Sequence, residues 1–434
     1  MNKSKIIGII VISILLIAAI FTATYYQNED TNYKKKDVTS NEEETKPVAI
    51  ETNYTEETVD LLVEAMNDFS FEFYKQLIND NTENLFFSPY SIFVALAMTY
   101  EGARSSTADE MYDVLNFPQN NDTTLCSFGR IYNLLNIEKE YTLHTANALW
   151  IRENYPFLSS YLNFIENYYM GKATEIDFTN PEQAAEIINQ WVENHTNGKI
   201  EDLVPSSAID PLYTALILTN AIYFKGSWLQ QFDPDDTTNS DFEISPGNTV
   251  EVPMMSITGE DAVFNYTETT DLQILEIPYE GEDLSMLILL PKENNLTSLE
   301  QSIDSVNLSF WRESLWARNV NIYIPRFTME TSYTLNDYLK NMGMNIPFTG
   351  LADFSGMTGK QDLFISSVLH KAFVEVNEEG TEAAAATAVI MTMGISPPPE
   401  LEFNANHPFI FLIQHKETGN ILFMGKVYNP LEES

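Results

Sequence analysis

One cysteine in 434 residues, Cys126, excludes an internal disulfide. The fold must be held by its core alone, and Cys126 reads as a small buried residue. Basic residues are scarce as well: 23 Lys and Arg stand against 63 Asp and Glu, for a formal net charge of −40. A field of that sign repels nucleic acid and anionic polysaccharide, so neither is expected as a partner. Catalytic signatures are also missing, since the chain has no HExxH, no GxSxG, no phosphate-binding glycine loop and no CxxC. The histidines, His144, His195, His370, His407 and His415, lack a second His at the short spacings of a metal site. No metal, cofactor or enzymatic activity is expected. The absences leave open a hydrolase whose triad comes from distant residues.

What is present is enough for a sizeable core, with 44% hydrophobic and 12% aromatic residues. The amino terminus carries Lys3 and Lys5, then an uncharged apolar run from Ile6 to Thr24. About twenty apolar residues span a bilayer, against roughly 7–15 in a cleaved signal. Residues 1–26 are therefore read as a retained membrane anchor, with cleavage near Ala23 as the alternative and an extracytoplasmic or secreted domain in either case. Lys3 and Lys5 favour a cytoplasmic start, which Lys34, Lys35 and Lys36 oppose. Residues 27–58 are polar and charged without an apolar period, the composition of a disordered tether. The folded domain is assigned to 59–434. Asn121 and Asn295 head Asn-x-Thr sequons, which would accept glycans in an exported protein.

Leu62, Met66, Phe69, Phe73 and Leu77 recur at three and four, the apolar face of a helix over Val59–Leu77. NLFFSPYSIFVALAMTYEGARSSTADEMYDVL predicts a short strand, a buried helix ending near Gly102, and a second helix opened by a Thr107–Glu110 capping box. A further helix starts at Pro181 and ends near Gly198. Strand patterns then dominate in TALILTNAIYFKG, LSMLILLP, NVNIYIPRF and DLFISSVLHKAFVEV, with Val320, Ile322 and Ile324 alternating onto one face. Early helices, later strands and no regular βαβ alternation give an α+β domain.

The most unusual stretch is EEGTEAAAATAVIMTMGISPPP, Glu378–Pro399. Four alanines in a row would by propensity alone be a helix. Yet the segment lies between two strand patterns, HKAFVEV and LEFNANHPFIFLI, and is far longer than the usual loop of about 4–6 residues. It opens at Gly380, its side chains are small, and no proline precedes Pro397. These are the requirements for a loop that can enter a β-sheet as an extra strand.

The hinge EEGTEAAAATA and the downstream FNANHPFIFLIQHKETGNILFMGKV resemble the serpin family, specifically its inhibitory members. The resemblance runs from about Val59 to Pro430. It implies helices packed on a large mixed sheet with smaller sheets, an exposed reactive-centre loop, and a monomer that traps serine proteases. On this resemblance Glu378, Glu379, Gly380, Thr381, Glu382, Ala383, Ala384, Ala385, Ala386 and Thr387 form the loop hinge. Thr381, Ala383, Ala385 and Thr387 would face the core after insertion. Ser88, Ser91, Asn220 and His370 match the polar cluster that lets the main sheet open. Trp228, Arg326 and Glu378 match the place where the loop enters.

The reactive bond counted from the hinge is Gly394–Ile395; counted back from PPELEFN it is Ile395–Ser396, and Met393–Gly394 is a third candidate. No Lys or Arg lies between Asn377 and Leu401. An elastase-, subtilisin- or chymotrypsin-like target is therefore expected and a trypsin-like one is not. The alternatives are a non-inhibitory serpin-fold binding or chaperone protein and, from another class, the exported hydrolase.

Overall fold

The computed structural model describes residues 48–118, 121–137, 139–381 and 401–432. The anchor segment, most of the tether and hinge residues from Glu382 onward, with all three candidate bonds, lie outside the described residues.

Among the described residues, seventeen strands run in chain order: β1 Leu85–Phe87, β2 Thr142–Arg152, β3 Lys172–Ile176, β4 Leu216–Ser227, β5 Thr238–Ser245, β6 Asn248–Ile257, β7 Val263–Glu268, β8 Leu272–Pro278 and β9 Leu284–Pro291; then β10 Trp316–Asn319, β11 Asn321–Pro325, β12 Phe327–Thr334, β13 Ile365–Val376, β14 Gly380–Thr381, β15 Glu402–Asn404, β16 Phe409–His415 and β17 Ile421–Val427. They form three sheets, ordered β1-β17-β16-β9-β8-β7-β10, β15-β11-β6-β5 and β12-β13-β14-β4-β2-β3. With helices such as Glu56–Asp80, Pro89–Tyr100 and Pro181–His195, the fold is α+β as the residue pattern predicts.

The six-stranded sheet is covered on both faces, which explains the unbroken apolar run of β4. Leu216, Leu218, Ile222 and Phe224 join the main core. Ile217 and Ala221 turn the other way, with Trp150 and Leu369, onto Ala184, Ile188 and Val192 of the helix Pro181–His195. That helix starts as its residues dictate. Asn180 accepts from the Gln183 amide, Pro181 fills the first turn, and Gly198 leaves the end at φ 72°.

Two expectations need correction. The tether does not reach 58: the helix starts at Glu56 and is capped by Thr55, whose hydroxyl accepts from the Thr58 amide. Ahead of it Ala49 is buried, and its amide donates to Asn133 Oδ1 at 2.9 Å. Composition missed this because main-chain groups, not apolar side chains, hold the segment.

Nor do Thr107 and Glu110 form a capping box. The helix begins at Ser105, so Thr107 already lies in its first turn. Its buried hydroxyl accepts from the Asp353 amide at 2.8 Å, and the Glu110 carboxylate accepts from the Asn345 and Ile346 amides. The pair fastens a distant loop to the helix. Thr107→Val is accordingly expected to lower stability by about 1–3 kcal/mol, because the Asp353 amide loses its acceptor. A denaturant midpoint that falls with the slope unchanged would register it.

Candidate functional site

The six-stranded sheet has a fault between its two central strands. β13 and β4 pair directly and in parallel, from Ile365 opposite Leu216 up to Phe373 opposite Tyr223. Beyond that point they part, and the chain following β13 folds back between them as β14. Thr381 stands opposite Val376 on one side and Gly226 on the other, and Gly380 stands opposite Ser227. β14 is antiparallel to both neighbours.

The reversal at 377–380 is fixed by main-chain groups. Asn377 N donates to Gly380 O, while its side-chain oxygen accepts from the Glu379 and Gly380 amides. Gly380 is required by contact, because a Cβ there would lie 2.1 Å from Gly226 O and 2.7 Å from Ser227 Cα. Trp228 holds the outside of the turn, its amide donating to Glu379 O and its indole to Asn377 O, each at 2.9 Å. The Phe232 amide donates to Glu378 O at 2.9 Å.

Glu378 is buried at this entrance, with its side chain 6% exposed, whereas that of Arg326 is 43% exposed. Arg326 Nε donates to Glu378 Oε1 at 2.6 Å and Thr237 Oγ1 donates to the same oxygen at 2.5 Å. Burial pushes the Glu378 carboxyl up, but the donors from Arg326 and Thr237 outweigh it and hold it below its ordinary value. Arg326→Met would leave a buried carboxylate with neutral donors only, the Thr237 hydroxyl and its own main-chain amide. The 3–5 kcal/mol typical of a broken buried pair falls to about 1–2 kcal/mol because the arginine is solvated. A depressed carboxyl stabilises above its unfolded value and loses that contribution as pH falls through its folded value. The acid limb of a stability–pH curve should therefore flatten in the variant.

Deeper in the sheet, Ser88, Ser91, Asn220 and His370 meet in one fully buried cluster. Ser88 caps the helix Pro89–Tyr100; its Oγ accepts from the Ser91 amide and donates to Leu422 O at 2.6 Å. The Ser88 amide donates to His370 Nε2 at 3.1 Å, so that nitrogen carries a lone pair and the proton sits on Nδ1, bonded to Asn220 Oδ1. The Asn220 amide donates to Ser91 Oγ and to Asn147 Oδ1, and Ser91 Oγ donates to Asn147 Oδ1 at 3.0 Å. Burial drives the His370 pKa down to about 3.

Strand register places Tyr333, His370, Asn220 and Asn147 in one row across β12, β13, β4 and β2. Asn147 escaped sequence reasoning; its only signal is an amide inside the apolar run TLHTANALWIR. Thr237 and Tyr279, which also reach the hinge, gave none. Among the described residues no group of three or more His, Cys, Asp or Glu is placed to hold a metal ion.

Residues 64–430 match the family described as serpin (serine protease inhibitor). An uncharacterized serpin-like protein of Thermococcus kodakarensis is 46% identical over 85% of this chain and 86% of its own length. Leukocyte elastase inhibitor A of Rattus norvegicus is 41% identical over 83% and 97%. Among solved structures, human thyroxine-binding globulin complexed with thyroxine superposes with a TM-score of 0.79 at 32% identity, covering 86% of this chain and 100% of that one.

Proposed function

Because this chain belongs to the serpin family, we propose that it is a suicide inhibitor of serine proteases. The observation that carries the reading is the seating of Gly380 and Thr381 between β13 and β4, with the direct pairing of those strands resuming just below. A protease serine attacks a carbonyl within 382–400 and forms an acyl-enzyme, and the amine on the far side of the cut leaves. The freed hinge side then continues downward from Thr381. Each residue added replaces parallel β13–β4 pairing with two antiparallel ladders, the more stable kind per residue.

Continuing the observed register gives the loop a destination. His370 lies six residues before Val376, Asn220 six before Gly226, and Thr387 six after Thr381. Insertion therefore brings the Thr387 hydroxyl into the row of His370 and Asn220, among groups that can take a new partner. Thr381, Ala383, Ala385 and Thr387 fall on one face, and all are small. About fourteen inserted residues at roughly 3.3 Å carry the attached protease on the order of 46 Å, distorting it before water can release it.

The lack of Lys and Arg between 377 and 401 favours a target with an apolar specificity pocket, elastase-, subtilisin- or chymotrypsin-like. A relative named leukocyte elastase inhibitor is in keeping with that class. The apolar run from Ile6 to Thr24 directs the domain out of the cytoplasm. Likeness to a thyroxine-binding globulin supports a second reading, a non-inhibitory carrier; the small hinge residues weigh against it.

The test mixes the full chain with one protease of each class and runs a denaturing gel beside an intact-mass spectrum. A denaturant-resistant band at the summed mass with an apolar-pocket protease, together with a released carboxy-terminal peptide that locates the cut, is the expected result. Turnover of the loop without any such band would favour the carrier reading.

A further inference from the structure

Tyr279 lies in none of the positions assigned above, yet its hydroxyl bonds the side chain of Thr381, a hinge residue seated between β13 and β4. Tyr279 Oη and Thr381 Oγ1 share a hydrogen bond of 2.8 Å, and both residues are fully buried. The ring is held on two sides. It stacks on Trp228, centroids 4.6 Å apart and planes 16° apart, and meets Phe224 edge-on at 5.0 Å. Its main chain pairs with Trp228 in an isolated antiparallel bridge, and the Tyr279 amide donates to Leu284 O at 3.0 Å.

A ring so fixed has one place to put its hydroxyl. Burial drives the phenol pKa far above its ordinary value, so the group stays protonated. An unpaired phenol or threonine hydroxyl at this depth would be unfavourable, and each satisfies the other. The other side-chain and turn contacts given above, from Trp228, Phe232, Asn377, Arg326 and Thr237, are made to residues 377–380, and none of them is to the side chain of Thr381.

We propose that Tyr279 is a positioning residue that latches Thr381 between β13 and β4 and so fixes the register from which the cut loop begins to insert. The functional half of this statement rests on the inhibitory reading; the latch itself does not. Seating one ladder position before cleavage removes the slow first step of strand addition, because the next residue then adds to an existing edge. Without the bond, the hinge samples the unseated state several-fold more often, and insertion starts later in its race with deacylation.

Hydrogen exchange on the uncut full chain tests the latch without any protease. The reporters are the Trp228 and Phe232 amides, which donate to Glu379 O and Glu378 O only while the turn is seated. In Tyr279→Phe, which keeps the ring and its stacking, both amides should exchange several-fold faster. Thr381→Val should match it, the double variant should be no faster than either, and Thr381→Ser should behave as the parent. Unchanged exchange in the single variants, or additive effects in the double one, would overturn the latch. Should Tyr279→Phe fail to fold, the contrast of Thr381→Val with Thr381→Ser carries the same decision.

A second arm counts inhibitor molecules consumed per protease trapped, expected to rise several-fold in Tyr279→Phe while the rate of loop cleavage stays constant. Trapping by the variant as efficient as the parent's would overturn the positioning role. Absence of trapping in the parent, with the exchange result intact, would instead remove the inhibitory reading and leave the latch in place.

Discussion

Thr381→Arg is expected to turn the protein from an inhibitor into a substrate: the loop is still cut, but the trapped fraction falls more than tenfold. Thr381 is fully buried between β13 and β4, bonded to the Tyr279 hydroxyl. An arginine there would have to bury its charge, and Glu378, the buried carboxylate of the turn, is already engaged with Arg326. Keeping an unpaired charge in such a site costs several kcal/mol, so the hinge leaves the sheet. Insertion competes with hydrolysis of the acyl-enzyme, and each 1.4 kcal/mol added to the insertion barrier alone is about tenfold in that race. Ala383→Pro should act alike for a different reason, since proline removes a ladder donor one inserted pair further on. Single-turnover reactions sampled on a denaturing gel separate cut inhibitor from trapped complex. Undiminished trapping by either variant would count heavily against strand insertion.

Acid should open the sheet. His370 has its pKa lowered to about 3 by burial, against about 6.5 unfolded. Between those values the unfolded chain binds the extra proton and the folded one does not. Stability therefore rises with pH across this window and is lost as pH falls from about 6.5 towards 3. A shift of that size corresponds to an upper bound of about 5 kcal/mol. Protonation also has a local consequence, because Nε2 accepts from the Ser88 amide and a second ring proton would set two donors face to face. The predicted result is a melting temperature that drops by many degrees between pH 6.5 and pH 4, with a shallower slope in His370→Gln. A slope unchanged by that substitution would place the acid sensitivity elsewhere.

Much of this arrangement was legible in the residues and some was not, for physical reasons. A glycine at the turn could be expected because main chains that approach this closely leave no room for a Cβ, as at Gly380 beside Gly226 O; the small residues from Glu382 onward lie outside the described residues. Ser88, Ser91, Asn220 and His370 were legible only as a set, by resemblance; singly they look like a cap, a core amide and a core imidazole. Asn147 stayed hidden because its partners are set by strand register, Asn147 opposite Asn220, which no local pattern encodes. Tyr279 and Thr237 were invisible for the same reason. Thr107 and Glu110 misled because the spacing of a capping box also serves two residues that hold a remote loop.

The early seating of the hinge is also absent from the sequence. Nothing in EEGTEAAAATA says that the uncut chain already enters the sheet at Thr381; the pairing of Thr381 with Gly226 and its bond to Tyr279 show it. The resting protein thus already holds the first rung of the ladder that cleavage would extend.

Thermal unfolding of the protein before and after a cut within 382–400 by any protease that it does not trap tests the central claim most directly. If the sheet takes up the freed hinge as a full central strand, the cut protein should unfold tens of degrees higher than the intact one, with both fragments still associated. An unchanged or lower melting temperature after the cut would contradict strand insertion, and with it the trap.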